Sequence, residues 1–524
     1  MRAIPTLAAT LVLLGGCSQG AQSPPAAPVA ATPAATAAAH DAQAGIAWRK
    51  GDVDDAFAEA VESGKPVLLY WGAVWCPPCN KLKATLFQEP DFIALTRNYI
   101  PVYLDGDLPG AQAWGERFGV KGYPTLIVLT PDKREITRLA GGSDTDRITA
   151  ALTLAVGRRA SVADILRTAL AQPEALQPDD WKLLSDYGWE VDANHLAGAD
   201  GPGAVFTALA RQAPDEPLKR RFELLALADA SSSKDAARPK PNPAQIRSLL
   251  QATLSSPEEV RTNFDLLSYR GPALVQLASP DAGEFEQLGA QLIGALQGSL
   301  KARGNDVDDQ LGLLYTEIQL QRAQHPDAAL PTALLDKVKA SVAAADAGSK
   351  TPYQRQATIS NAASLLDEAG DAAGAEALLT AELSQSHTPY YYMPDLADLA
   401  EKRGDTKAAV AWLRKAYESS EGPATRVQWG VLYVTGLIRL TPNDAAAIEQ
   451  AASSVIGELD TQGAGYHQRT QQRFESLGKA LTAWSDAHHG ASTLAQLQTQ
   501  MQRQCARPEA AGSDRAACEH WLRS

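Results

Sequence analysis

Two patterns of hydrophobic and polar positions divide the chain. In its first third, short apolar runs typical of buried strands alternate with segments of helical periodicity. Strands are predicted at 66–71, 99–104, 125–129 and 135–139, and helices at 54–63, 76–87, 109–118 and 145–156. This alternation predicts an α/β domain at residues 46–158, built as a small central sheet flanked by helices.

The second pattern begins after residue 158 and is helical to the end of the sequence. Segments rich in Ala and Leu replace the strand-like runs, with interruptions at 231–243 and 344–352. An α-helical domain is therefore predicted at residues 159–524. We interpret the Tyr390-Tyr391-Tyr392 cluster within it as aromatic packing between helices.

One internal repeat lies in this helical part. Leu365, Gly370, Asp371, Ala375, Ala377 and Leu379 correspond to Leu399, Gly404, Asp405, Ala409, Ala411 and Leu413, an offset of 34 residues. That offset is the tetratricopeptide period, in which a turn separates two helices that pack against each other. Two tetratricopeptide-like repeats are therefore predicted near 361–418, and the remaining helices are either degenerate repeats or an unrelated bundle.

The charge of the chain excludes one class of partner. The net charge is −13 over 524 residues, and the isoelectric point is near 5.2. Binding to a phosphate backbone needs clustered Lys and Arg, so nucleic acid is not expected as a partner.

The N-terminus has the features of an export signal. An apolar stretch at 4–14 is too short to span a bilayer as a helix, and it ends in Leu14-Gly15-Gly16-Cys17. This tetrapeptide resembles the lipobox of bacterial lipoproteins. The resemblance implies a signal peptide at 1–16, lipidation of Cys17, and a membrane anchor on the periplasmic side, with the outer membrane favoured by Ser18. An Ala-rich tail on a cytosolic protein is the alternative.

Residues 17–45 separate this signal from the α/β domain. They consist mainly of Ala, Pro, Ser and Thr and carry few large apolar side chains. Such a composition cannot bury enough apolar surface to offset the entropy lost on ordering, so we predict a tether.

The candidate chemistry lies in Trp75-Cys76-Pro77-Pro78-Cys79, between a predicted strand and a predicted helix. At a helix N-terminus, the unpaired N–H groups and the helix dipole favour a thiolate, so Cys76 is predicted to attack a disulfide. Cys79 lies three residues on, on the same helix face, and is expected to be the more buried, resolving thiol. Pro77 and Pro78 stiffen the first turn, and Trp75 is expected to shield the sulfurs from water.

This strand, turn and helix resemble the thioredoxin superfamily over residues 46–156. The matching features are Lys65-Pro66-Val67-Leu68 before the motif and Gly122-Tyr123-Pro124-Thr125 after it. The resemblance implies a central mixed sheet, a cis Pro124, and a substrate-binding platform made of Trp75, Pro77, Pro78, Tyr123 and Pro124. It also implies thiol–disulfide exchange that requires no cofactor and no metal.

The sequence departs from thioredoxins at one position. Thioredoxins carry a buried Asp on the strand before the motif, which accepts a proton from the resolving Cys, whereas this chain has Tyr70. A phenol is a poor base near neutral pH, so another group must serve Cys79. The candidates are solvent, Lys81, Asp105 and Glu116.

The two remaining cysteines allow two interpretations. Cys505 and Cys518 are expected to form a structural disulfide, because an exported protein usually pairs such residues. The alternative is a zinc site in which Cys76 and Cys79 join Cys505 and either Cys518 or His520.

Together these features predict a membrane-anchored thiol–disulfide oxidoreductase that acts on exported proteins. Its expected partners are protein thiols and disulfides and a redox partner, and the helical domain is expected to recruit them. Whether the protein acts as a reductase or as an oxidase or isomerase depends on its reduction potential. The alternative function is that of a non-enzymatic periplasmic scaffold that binds partners through its helical repeats.

Overall fold

The structure of the protein, a computed structural model, describes residues 45–49, 53–140, 144–191, 196–198, 201–232, 241–304, 306–326, 328–461, 465–507 and 515–523. The predicted signal peptide, Cys17 and the tether up to residue 44 lie outside these described residues. Residues 43–524 belong to one compact unit.

A four-stranded mixed sheet forms the centre of the α/β part. Its strands are β1 (Val67–Gly72), β2 (Ile100–Asp105), β3 (Thr125–Leu129) and β4 (Glu135–Ala140), in the order β2-β1-β3-β4. Strands β1 and β2 run parallel, whereas β3 is antiparallel to both β1 and β4. The predicted α/β class and the mixed sheet are confirmed.

Five helices flank this sheet: α1 (Val53–Ser63), α2 (Pro77–Ala84), α3 (Pro90–Thr96), α4 (Pro109–Arg117) and α5 (Thr145–Ala155). All six residues of β1 are buried, and alternate side chains enter the hydrophobic clusters on the two sides of the sheet. Burial on both faces explains why β1 is a continuous apolar run. The predicted helix at 76–87 ends earlier, at Ala84, and a 3₁₀ turn follows at Leu86–Gln88.

The sequence analysis missed α3. It spans only seven residues, so it offers fewer than two turns of periodicity from which a helix could be inferred.

From residue 162 onward the described part of the chain is helical and contains no strand, as predicted. The helices are α6 (Val162–Ala171), α7 (Pro178–Asp186), α8 (Pro202–Gln212), α9 (Glu216–Ser232), α10 (Pro243–Leu254), α11 (Pro257–Thr262), α12 (Phe264–Ala278), α13 (Ala282–Arg303), α14 (Val307–Gln324), α15 (Thr332–Gly348), α16 (Pro352–Glu368), α17 (Ala372–Glu382), α18 (Met393–Lys402), α19 (Thr406–Ser419), α20 (Pro423–Leu440), α21 (Ala445–Gly457), α22 (Gln468–His488), α23 (Ala491–Cys505) and α24 (Arg515–Glu519). None of the described helices combines the length and the hydropathy that crossing a membrane requires.

The 34-residue sequence repeat coincides with two helix pairs that share one turn geometry. Gly370 lies between α16 and α17 with φ of 87°, and Gly404 lies between α18 and α19 with φ of 82°. In each turn the next residue, Asp371 or Asp405, accepts a hydrogen bond from the backbone of the following helix. The helix pairs are a structural fact, while their assignment as tetratricopeptide repeats stays a prediction.

The helical region packs against the α/β part on both sides of the sheet. Helix α16 contacts α2, and α22 contacts α4. Next to β4, the Gly188 N–H donates a hydrogen bond of 2.7 Å to the Arg138 carbonyl. The α/β part and the helical part on either side of residue 158 therefore share an extensive contact. The division into two domains at this residue stays a prediction.

We predict opposite effects for two Gly→Ala substitutions in the helical region. Gly404→Ala should lower the free energy of unfolding by about 1 kcal/mol, because its left-handed conformation disfavours a Cβ atom. Gly298→Ala should raise it by about 0.5–1 kcal/mol, because Gly298 lies inside α13 with open space around its Cα. Urea denaturation of both variants provides the measurement. Shifts of the same sign would contradict the turn geometry assigned to Gly404.

Candidate functional site

Cys76 and Cys79 form a disulfide at the start of α2, with their Cα atoms 5.2 Å apart. Cys76 caps the helix, and its Sγ accepts a hydrogen bond of 3.2 Å from the Cys79 N–H. Pro77 and Pro78 occupy the first turn, where the absence of an N–H group leaves no acceptor unpaired. A thiolate formed on Cys76 would therefore meet the positive end of the helix and one directed N–H donor.

Both sulfur-bearing residues are buried, with little difference between the expected attacking thiol and the expected resolving thiol. Cys76 is 2% exposed and Cys79 is 0% exposed. The apolar residues packed with the pair are Ala73, Trp75 and Tyr123, and of these Trp75 also contacts the helical region.

Trp75 connects the cysteine motif to the helical region. Its indole N–H donates to Thr425 Oγ1 at 2.9 Å, and its carbonyl accepts from Gln356 Nε2 at 3.1 Å. Its ring is stacked with Tyr391 at a centroid distance of 6.1 Å and meets Trp429 edge to face at 5.4 Å. The side chain expected to shield the sulfurs thus joins an aromatic cluster contributed by α20 and the turn before α18.

Tyr123, which Pro124 follows in the chain, also packs against the cysteine pair. The peptide bond between them is cis, and the Tyr123 ring packs with Trp75 against the cluster formed by Ala73, Cys76 and Cys79. The Tyr123 hydroxyl donates to the Gly106 carbonyl at 3.1 Å. Burial raises the pKa of Tyr123 to about 12, so the phenol is neutral near pH 7.

Arg469 of α22 is a site residue that the sequence analysis missed. Its guanidinium carbon lies 4.4 Å from the centroid of the Trp75 ring and 5.6 Å from that of Tyr123. It also donates to Gln428 Oε1. No local motif marks this arginine, because only tertiary packing brings α22 next to the cysteine motif.

The three side chains considered as proton acceptors for Cys79 have other partners. Lys81 Nζ lies 3.2 Å from Asp306 Oδ1 and 3.4 Å from Asp308 Oδ2. Burial alone would lower the pKa of Lys81, but these carboxylates outweigh burial and raise it above its ordinary value. Lys81 therefore remains a cation and cannot act as the base near pH 7.

Glu116 and Asp105 are similarly engaged elsewhere. A Glu116 carboxylate oxygen lies 2.7 Å from His467 Nδ1, and Asp105 accepts a hydrogen bond of 3.1 Å from the Asp107 N–H. Tyr70 is fully buried among aromatic rings that include Phe87 and Tyr103. Each candidate side chain is thus already engaged by a neighbouring residue. Of the candidates considered, solvent remains as the proton acceptor for Cys79.

A cavity of about 570 Å³ opens beside the first turn of α2. One wall consists of Pro77, Pro78 and Lys81, and the others come from helices α12, α14 and α16 and from Tyr391 in the turn before α18. Among the lining residues, Tyr269 of α12 is 60% exposed, and burial raises the pKa of Asp309 to about 6. The cavity is therefore an acidic and aromatic recess that lies next to the two prolines of the motif.

Cys505 and Cys518 form a second disulfide, between α23 and α24, with their Cα atoms 5.8 Å apart. Each cysteine pair is thus bonded within itself, and His520 Nδ1 lies near the Ala516 carbonyl instead of near a cysteine cluster. Over the described ranges, no group of three or more His, Cys, Asp or Glu side chains could hold a metal ion. The arrangement gives no support to the zinc alternative.

Comparisons with known proteins point to one family. The Thioredoxin-like domain family matches residues 53–155. The Thiol:disulfide interchange protein DsbD 2 of Pseudomonas aeruginosa is 32% identical over 143 residues, which cover 25% of this chain and 24% of that protein. Thioredoxin H5 of Oryza sativa is 32% identical over 94 residues, which cover 18% of this chain and 64% of that protein.

A thioredoxin from Thermus thermophilus, solved in solution, is 24% identical. Its match covers 21% of this chain and 86% of that one, with a TM-score of 0.20. This chain therefore spans about a quarter of the length of the first curated relative and most of the length of the solved thioredoxin.

The match to the thioredoxin-like family covers the disulfide of Cys76 and Cys79, and one of the relatives is named a thiol:disulfide interchange protein. Residues 53–155 form a thioredoxin-like domain, joined in this protein to a helical C-terminal region.

Proposed function

We propose that this protein exchanges disulfides with client proteins through Cys76 and Cys79. The observation that carries the proposal is the pairing of these two residues at the N-terminus of α2, beside the cis Tyr123–Pro124 peptide. The helix end favours a thiolate on Cys76, and the three-residue spacing places Cys79 where it can form the internal disulfide.

In the direction of client reduction, the Cys76 thiolate attacks one sulfur of a client disulfide. An intermolecular disulfide forms, and the client's other sulfur leaves as a thiolate. Cys79, once deprotonated, attacks Cys76 Sγ, which releases the client dithiol and restores the Cys76–Cys79 disulfide. A dithiol redox partner then reduces that disulfide and is itself oxidised. Client oxidation is the same sequence in reverse.

We further propose that clients approach from the cavity beside Pro77 and Pro78. The Trp75 side chain is held by contacts with Thr425 and Trp429, whereas Pro77 and Pro78 line the cavity. The cavity wall formed by α12, α14 and α16 belongs to the helical region, so a client at the disulfide would contact both parts of the protein. This arrangement would let the helical region recruit clients and raise their concentration at Cys76.

The burial of both sulfurs favours a second candidate function, that of a non-enzymatic scaffold. In this case the helical region would bind partners and the disulfide would only stabilise the fold. Turnover of a small disulfide substrate separates the two functions, because a scaffold has no need of a reactive thiolate.

We also propose that the protein is a lipoprotein held on the periplasmic side of a membrane, with the outer membrane favoured. The support is the lipobox-like Leu14-Gly15-Gly16-Cys17 and the Ala- and Pro-rich segment that follows it. Two or three acyl chains on Cys17 would provide a stable anchor, whereas a single chain would not. The tether would then allow the oxidoreductase to reach clients away from the bilayer.

The first prediction concerns the roles of the two cysteines. Cys79→Ala should accumulate mixed disulfides with client proteins, because no second thiol releases what Cys76 has attacked. Non-reducing electrophoresis and mass spectrometry of the adducts provide the measurement. Cys76→Ala is the matched control and should trap nothing and lose turnover of small disulfides. If Cys76→Ala retains that turnover, the scaffold function is favoured.

The second prediction tests recruitment through the cavity. Tyr269→Ser, made in the Cys79→Ala background, should change which clients are trapped, because it removes an exposed ring from the cavity wall. Exchange with a small aromatic disulfide should stay unchanged, because such a reagent does not need the wall. Leu277→Ser on the same helix, at a site 39% exposed and outside the cavity lining, is the control. If the two variants trap identical sets of clients, the cavity does not select them.

The third prediction concerns the anchor. Cys17→Ala should abolish incorporation of labelled fatty acid and leave the precursor uncleaved, because the modified sulfur is absent. In a detergent phase separation the wild-type protein should enter the detergent phase. The variant precursor should be absent from the fraction that carries the lipid label. A wild-type protein that partitions into the aqueous phase without label would show that the lipobox interpretation is wrong.

A further inference from the structure

Arg469 places a positive charge next to the two rings that contact the disulfide. Trp75 and Tyr123 both pack against the cluster of Ala73, Cys76 and Cys79, and the guanidinium lies against both rings. The cation is therefore separated from the sulfurs by one aromatic side chain. Such a position, away from bulk water, strengthens its electrostatic effect on a charge that forms at the disulfide.

One nitrogen of the Arg469 guanidinium lacks a regular hydrogen bond within the part of the chain that the structure describes. Nη2 donates to Gln428 and the group also interacts with the Tyr123 phenol, but Nη1 is buried and makes no hydrogen bond of regular geometry among the described residues. A buried donor without an acceptor is unfavourable, and burial also lowers the pKa of Arg469 from its usual value. A negative charge nearby would stabilise the guanidinium cation, and reduction of the disulfide creates one.

Taking the proposed exchange reaction as given, we propose that Arg469 is a positioning residue that stabilises the Cys76 thiolate of the reduced pair. It acts through its stacking on Trp75 and Tyr123, so the helical region helps to set the reduction potential of the thioredoxin-like domain. The half-reaction is disulfide plus two electrons plus one proton, giving the Cys76 thiolate and the Cys79 thiol. A cation that favours this product makes the pair more oxidising.

Other charges around the site modify this effect. Asp107, at the end of β2, accepts a hydrogen bond of 2.6 Å from the Thr425 N–H, and burial raises its pKa to about 6. Near pH 7 its carboxylate is mainly ionised and partly offsets the charge of Arg469. Other charged groups near the site include Asp105 on β2, Arg473 on α22, Glu116 on α4 with its partner His467, and Lys81 on α2 with its partners Asp306 and Asp308.

The experiment measures two properties of the full-length protein carrying its cysteine pair. One is the pKa of Cys76 in the reduced form, from thiolate absorbance against pH. The other is the equilibrium with glutathione, in which two thiols of glutathione reduce the disulfide and form glutathione disulfide. Arg469→Gln should raise the thiol pKa by about one unit and shift the equilibrium about tenfold towards the protein disulfide, about 30 mV more negative.

Two further variants keep the test decisive if Arg469→Gln does not fold. Arg469→Lys keeps the charge and should retain most of the wild-type potential, although it lacks the planar group that stacks on the rings. Asp107→Asn removes the offsetting carboxylate and should shift the thiol pKa in the opposite direction, downward. Asparagine can still accept from the Thr425 N–H, so the contact is preserved.

The control is Arg414→Gln, which makes the same change in net charge at an exposed site paired with Glu418. It should leave both the pKa and the potential unchanged. The inference is overturned if Arg469→Gln and Asp107→Asn leave the thiol pKa unchanged, or if Arg414→Gln shifts it equally. In either case disulfide exchange by Cys76 would persist, whereas failure of the proposed function would appear as loss of exchange in the wild-type protein itself.

Discussion

The packing of Trp75 against the helical region determines how the rest of this protein is arranged. The indole hydrogen-bonds to Thr425 and lies between the rings of Tyr391 and Trp429, hundreds of positions away in sequence. Because Trp75 immediately precedes Cys76, these contacts also fix the environment of the disulfide. The disulfide itself is buried among Ala73, Trp75 and Tyr123 of the thioredoxin-like domain.

This contact makes the helical region part of the redox site. Trp75 packs into an aromatic cluster of that region, and Pro77 and Pro78 line a cavity whose walls come mainly from α12, α14 and α16. If clients approach through this cavity, as proposed, the shape and charge of the helical walls would select between them.

The same packing brings charges together that the sequence keeps far apart. Lys81 is paired with Asp306 and Asp308, while Arg469 lies against Trp75. Near the protein interior these interactions are stronger than in water, because the surrounding medium screens them less. Under the proposed role of Arg469, the protonation of the cysteine pair would depend both on the helix that carries it and on residues of the helical region.

The sequence by itself determined the structural features that depend on residues close together in the chain. Periodicity located all four strands and most helices of the α/β part, and the spacing of Cys76 and Cys79 at a helix start identified the reactive pair. The turn at Gly404 was visible as a 34-residue repeat. Only the tertiary structure decided that Cys76 is buried, that Lys81 is held as a cation, and that Arg469 belongs to the site. Helix caps and strand patterns are set within a few positions, whereas burial and charge pairing depend on which distant surfaces meet, and that is a property of the packed chain.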